Sequence, residues 1–186
     1  TNNAKDLILY IRISISNDDT RHYLNGIYLH LTEANGRSFL TAVATDSHRL
    51  SSSSLEINDT NDFKSVILPR KAVYQLCNLL AETSDKLSMS ISENKIKFTL
   101  GNIKLISKVI DGKFPDYKKV VPTNNDKTLL VSTKEFINSI ERVTTVSIDR
   151  KEGVKLLVNK DNLQLSVNSA NSGDGNEKIG SLLCFQ

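Results

Sequence analysis

Apolar and polar positions alternate along most of this chain, and the period changes where helices are expected. Ile27, Leu29 and Leu31 fall on one side of a strand, with Tyr28, His30 and Thr32 on the other. The turn signal Asn35-Gly36 leads to a second strand, Phe39 to Val43, and so to a hairpin. Arg49 to Glu56 gives a further strand, followed by a polar loop at Asn58 to Asp62. Ser65 to Leu68 is a short strand running into Pro69, a residue suited to the first turn of a helix. Val73, Leu76, Cys77 and Leu80 then recur at i, i+3, i+4 and i+7, one helical face on which Cys77 is a small core residue. From Lys86 the period returns to two. Leu87-Met89-Ile91, Ile96-Phe98-Leu100 and Ile103-Leu105 are antiparallel strands joined by tight turns at Glu93-Asn94 and Gly101-Asn102.

The start of the chain is ambiguous. Leu7 to Ile11, then Ile11, Ile13 and Ile15, fits helix or strand, and the β-branched isoleucines favour strand. Pro115, Pro122 and the polar run Thr123 to Asp126 mark a linker. Two domains are therefore expected, residues 1–122 and 123–186. In the second, Ser132-Thr133-Lys134-Glu135 is a capping box with Phe136, Ile140 and Val143 on the face behind it. Strands Val154 to Val158 and Leu163 to Val167 follow. A helix followed by short hairpin strands thus occurs twice, about 65 residues apart, which suggests duplicated units. Asn168 to Glu177 is rich in Asn, Ser and Gly and reads as a loose tail. The apolar scrap Ile179 to Phe185 offers no third strand, so the second unit reads as truncated.

Composition narrows the class. With 186 residues, 39% hydrophobic and 24% charged, the chain can bury a core as a soluble protein does. No apolar run reaches the roughly 18 residues of a membrane helix, and no basic stretch precedes an apolar core as in a secretory signal. A cytoplasmic protein with no membrane partner is expected. Cys77 and Cys184 are too few for a disulfide framework or a thiolate metal site. The net charge of +3 comes wholly from residues 1–125. That suits an ordinary solvated surface or a loose contact with nucleic acid, and charge alone does not decide between them.

Candidate chemistry gathers at one place. The predicted hairpin carries Arg21-His22-Tyr23-Leu24-Asn25-Gly26 and Ala44-Thr45-Asp46-Ser47-His48-Arg49-Leu50 to the same end of a sheet. Asp46, Ser47 and His48 have the residue types of a serine hydrolase, but neighbours in an extended chain point to opposite faces and cannot relay hydrogen bonds. His22, His30 and His48 are too scattered for a metal site, and no Gly-rich phosphate loop occurs. No catalytic residue, metal or cofactor is expected.

Four blocks then carry a resemblance: Arg21 to Gly26, Thr45 to Leu50, Pro69-Arg70-Lys71, and Asp111-Gly112-Lys113-Phe114-Pro115-Asp116-Tyr117. In order and spacing they resemble the bacterial sliding clamp, the beta subunit of DNA polymerase III. The likeness runs from about Ser14 to Val167 and implies the middle domain and the first part of the third domain of a three-domain protomer. It implies an α+β DNA-clamp fold, helices packed on antiparallel sheets in repeated clamp-type units, and a helix rather than a strand at Leu7 to Ile15.

The function it implies is that of a non-catalytic processivity factor. Two protomers close head to tail into a ring around double-stranded DNA, which is held without base readout and tethers the polymerase. From this stretch alone, with no first domain to meet the third, such a ring would not close. His22, Tyr23, Arg70 and Lys71 are the implied DNA contacts, with Tyr23 keeping the stacking role because His22 departs from the usual Tyr. The DNA polymerase III catalytic subunit and the clamp loader would dock short clamp-binding motifs on Arg21, Leu24, Thr45, His48, Arg49, Leu50, Pro115, Lys119 and Val120. Three positions depart from the pattern. Ser47 stands for a common Gly, Lys119 for a usual Arg that could bind bidentately, and Lys151 for an aromatic wall. The alternatives to a working clamp piece are a clamp-derived peptide-binding adaptor and a nonfunctional remnant.

Overall fold

The computed structural model describes residues 2–58, 63–83, 85–147, 152–169 and 173–185, giving only the backbone for 2–4 and 182–185. Most of the expected polar loop at Asn58 to Asp62, and the departure at Lys151, lie outside the described residues. The chain divides into two compact units, residues 1–116 and 117–186.

The first unit opens with helix α1 (Asn2–Leu9) and a 3-10 turn (Arg12–Ser14). This corrects the strand favoured by the residues alone and agrees in part with the helix that the resemblance implies at Leu7 to Ile15, since α1 ends at Leu9 and Ile15 is already extended. The reason is visible in the burial. A strand would place Ile11, Ile13 and Ile15 on one face. Instead Leu7, Ile8, Ile11 and Ile15 are buried, whereas Ile13 is 62% exposed. That spacing follows a helical turn, and tertiary packing outweighs the strand propensity of isoleucine.

A second 3-10 segment (Asp19–Leu24) leads into β1 (Gly26–Ala34), β2 (Arg37–Thr45), β3 (Leu50–Glu56) and β4 (Val66–Pro69). They form an antiparallel sheet of order β3-β2-β1-β4. Helix α2 (Arg70–Glu82) follows Pro69 and buries Ala72, Val73, Leu76, Cys77 and Leu80 along one stripe. Strands β5 (Leu87–Ile91), β6 (Lys95–Leu100) and β7 (Ile103–Lys108) make the second sheet, in chain order. Ile27, Leu29, Leu68, Leu76, Ile96, Phe98 and Leu100 belong to one shared core. Helices and both sheets are therefore held by a single apolar interior.

The second unit has a 3-10 turn (Tyr117–Val120), β8 (Lys127–Leu130) and α3 (Thr133–Val143). The Ser132 side chain caps α3 by accepting from the Glu135 backbone N–H. Strands β9 (Lys155–Val158), β10 (Asn162–Ser169), β11 (Gly173–Gly180) and β12 (Leu182–Phe185) follow. They form sheets β11-β10-β9 and β12-β8. The expected loose tail and missing third strand are thus both corrected. β11 pairs with β10 from Asn162 opposite Gly180 to Ser169 opposite Gly173. Its glycine content has a packing cause: a Cβ on Gly175 would lie 2.5 Å from the Val143 carbonyl oxygen at the end of α3. Glycine here marks a close approach, not a loose chain.

Candidate functional site

The β1–β2 hairpin sets Tyr28 opposite Val43 and continues in register to Ala34 opposite Arg37. The segment before β1 and the loop after β2 therefore meet at one end of the sheet, as the alternation pattern implied. Each is built on an aspartate. Asp18 accepts from the Thr20 backbone N–H at 2.9 Å, the Thr20 hydroxyl at 2.6 Å and Arg21 Nε at 2.9 Å. The Thr20 hydroxyl, then the Thr20 N–H and Arg21, hold the Asp18 carboxyl down to about 2, against an ordinary value of 3.8.

Asp46 organises the second loop. One carboxylate oxygen accepts from the backbone N–H groups of His48 and Arg49, each at 3.0 Å, and the other from Arg49 Nε at 3.0 Å. Partial burial works against ionisation, but the Arg49 and His48 N–H groups and the Arg49 guanidinium outweigh it and hold this carboxyl below its ordinary value. The Thr45 hydroxyl closes the loop, donating to the Arg49 carbonyl at 2.8 Å and accepting from the Ser47 N–H at 3.1 Å. Ser47 takes up the sharp turn at φ 77°, a left-handed conformation that glycine adopts freely. Arg21 then reaches across, and its Nη1 donates to Ser47 Oγ at 2.5 Å.

Arg21, Thr45, His48, Arg49 and Leu50 are thus gathered around one loop pair, with His48 and Arg49 exposed and Leu50 half-buried. Leu24 differs. At 2% exposure it is a core residue that anchors the segment from beneath and offers little surface.

The Asp111–Asp116 segment is fixed by an aromatic stack. Phe114 lies on Tyr28 with ring centroids 4.9 Å apart and planes 8° apart, and Tyr28 lies in turn on His30 at 4.7 Å. Gly112, at φ 151°, passes so close that a Cβ would lie 3.2 Å from Tyr23 Cβ. Pro115 is exposed beyond the stack. Lys119 and Val120 belong to the second unit, in the turn Tyr117–Val120, where Val120 is 71% exposed.

Three of the four expected DNA contacts, His22, Arg70 and Lys71, border a shallow basin. A hollow of about 360 Å³ is lined by His22, Asn25, Pro69, Arg70, Lys71 and Ile110. Tyr23 packs edge-on against His22 with centroids 5.8 Å apart. Lys71 is exposed, whereas Arg70 is held: its Nη1 donates to the Ser16 carbonyl at 3.2 Å and to Asn17 Oδ1. Among the described residues no three His, Cys, Asp or Glu side chains gather as a metal site would need.

Asp18, Asp46 and Gly112 have roles here that the site reading overlooked. The signal was present, because both loops carry an Asp three residues before an Arg, as Asp18 to Arg21 and Asp46 to Arg49.

A family model for the DNA polymerase III beta subunit, central domain, matches residues 1–116, and one for the C-terminal domain matches residues 118–182. The chain belongs to the DNA polymerase III beta subunit family. The beta sliding clamp of Caulobacter vibrioides is 36% identical over 180 residues, 96% of this chain and 48% of the relative. That of Escherichia coli K12 is 35% identical over 173 residues, 93% of this chain and 46% of the relative. In structure, the DnaN sliding clamp from Bartonella birtlesii bound to griselimycin superposes with a TM-score of 0.93 at 38% identity, over 100% of this chain and 50% of that one. The chain spans about half the length of the curated relatives it matches, and its fold is that of the clamps.

Proposed function

We propose that this chain is a working stretch of a DNA sliding clamp, supplying its middle domain and the N-terminal part of its third domain. In this reading the parent is a ring-shaped homodimer that encircles duplex DNA without regard to sequence. It tethers DNA polymerase III for processive replication in the cytoplasm, and it is no enzyme. Phosphates of the duplex meet Lys71 and His22 around the basin, with Tyr23 beside them for stacking. Arg70, tied to Ser16 and Asn17, serves more as a fixed positive wall than as a free arm.

Short motifs of the polymerase catalytic subunit and the clamp loader dock at the paired loops. Arg21, Thr45, His48 and Arg49 fix the peptide backbone, and Leu50 and Pro115 meet its apolar anchors. The observation that carries this reading is the Arg21–Ser47 bridge, which joins two separate motifs into one preorganised surface.

The test is fluorescence anisotropy with a labelled Gln-Leu-x-Leu-Phe peptide, comparing the native chain with a His48→Ala, Leu50→Ala variant. Saturable binding with Kd on the order of 100 μM, equivalent to about −5.5 kcal/mol, is expected, and its loss in the variant. A flat titration by folded protein would overturn the docking role.

A further inference from the structure

Four lysines share the outer face of the β5–β6–β7 sheet. Ile96, Phe98 and Leu100 are at 0%, 1% and 1% exposure in the core beside α2, so strand alternation turns Lys95, Lys97 and Thr99 the other way. The register sets Lys108 opposite Lys95, Ile106 opposite Lys97 and Lys104 opposite Thr99. On the other flank Ser88 and Ser90 lie opposite Thr99 and Lys97. All four lysines are exposed, and none of the three strands contains an Asp or Glu. Among the described residues, none of the four ammonium groups is ion-paired.

Two features of this face do nothing for the fold. Like charges directly across an antiparallel pair, as Lys95 and Lys108 are, destabilise it. Ile106, 61% exposed, stands among the lysines. Beside it is a hollow of about 230 Å³ lined by Ser90, Ile91, Ser92, Lys95, Lys97 and Ile106. An anion would relieve the repulsion, and an apolar group would cover the isoleucine.

We propose that this face docks an acidic protein segment carrying one apolar side chain, which covers Ile106 while flanking carboxylates meet the lysines. Ammonium groups are point charges that accept carboxylates without the fixed geometry a guanidinium demands. A nucleic-acid strand fits this surface less well. No aromatic side chain of the three strands faces outward to stack a base, and Ile106 would be left against sugar and phosphate. The face belongs to a different sheet from the Arg21 and Asp46 loops, so the proposal does not depend on peptide docking there.

The experiment is an anisotropy titration of the full chain into a fluorescein-labelled Glu-Asp-Glu-Leu-Glu-Asp-Glu peptide across a salt series. Expected are saturable binding that weakens with salt and an about tenfold loss in a Lys97→Glu, Lys104→Glu variant. A smaller loss is expected in Lys97→Gln, Lys104→Gln, which guards against a fold defect from charge reversal. Ile106→Ser, or Ser for Leu in the peptide, should each weaken binding about threefold. A flat titration, or binding unchanged in both lysine variants, overturns the proposal. So does a short duplex oligonucleotide that binds more tightly than the peptide and loses the same affinity in the lysine variants, which would assign the face to nucleic acid.

Discussion

Arg21 and Ser47, 26 residues apart in sequence, are joined by a hydrogen bond of 2.5 Å from the guanidinium to the hydroxyl. The same guanidinium binds Asp18, so one side chain ties the segment before β1 to the loop after β2. Arg21→Ala should cost little stability, at most about 1 kcal/mol, because the ion pair with Asp18 is only partly buried and solvent still screens it. Its larger effect should be on order: the loops lose their link, and affinity for the clamp-binding peptide falls about fivefold. Anisotropy beside thermal melting separates the two effects. A large drop in Tm with unchanged affinity would contradict the bridging role.

Ser47 has two opposing contributions, and substitutions can part them. Its φ of 77° strains any residue with a Cβ, while its hydroxyl holds Arg21. Ser47→Gly should stabilise the fold by about 1 kcal/mol by removing that strain. Ser47→Ala keeps the strain and loses the bond, so its Tm should fall below that of the native chain. Peptide affinity should decline in both. Should Ser47→Gly melt lower than Ser47→Ala, the strain argument would be wrong.

Much of this arrangement was legible in the sequence, for a physical reason. Wherever one face of a strand or helix is buried, periodicity records it: Ile27-Leu29, Ile96-Phe98-Leu100 and Val73-Leu76-Cys77-Leu80 were each readable from spacing. Legibility failed where a residue's reason lay in a distant neighbour. Ile13 reads as strand until α1 is packed and leaves it outside. Gly175 reads as a loose tail until Val143 is seen against it. Leu24 matched a pocket position, yet the core takes it almost entirely. The loop geometry at Asp18 and Asp46 was encoded in their spacing to Arg21 and Arg49, but only the hydrogen bonds reveal what that spacing does.

The two aspartates make loop order dependent on acid. Asp18 ionises at about 2 in the fold, against an ordinary 3.8, so the folded state releases its proton more readily than the unfolded chain. The stabilising contribution is therefore complete above about 3.8 and is lost as pH falls through about 2. Asp46 shifts the same way. A carbon-13 NMR titration of the side-chain carboxyls should show Asp18 as an early-ionising group. In Thr20→Val the leading cause is removed, and the Asp18 value should move back up. An Asp18 carboxyl that titrates at its ordinary value would remove the basis for this cap.

Gly112 makes a tight approach to Tyr23, but Gly175 accepts a neighbour where a side chain would not fit, and it gives the sharper test. A methyl group there would meet backbone, the Val143 carbonyl at 2.5 Å, which cannot swing aside as a flexible side chain could. Gly175→Ala must therefore push β11 away from the end of α3, at a cost of about 1–3 kcal/mol. The strain falls beside the exposed ion pair of Arg142 with Glu177, which links the same two elements and weakens with them. Hydrogen exchange should speed up at amides of β10 and β11 around Leu165 and Val167, both core residues of the second unit. Amides of β1 and β2 in the first unit should keep their protection. Equal loss in both units would mean the substitution acts on the whole chain. Unchanged exchange at Leu165 would mean that β11 does not need its glycine.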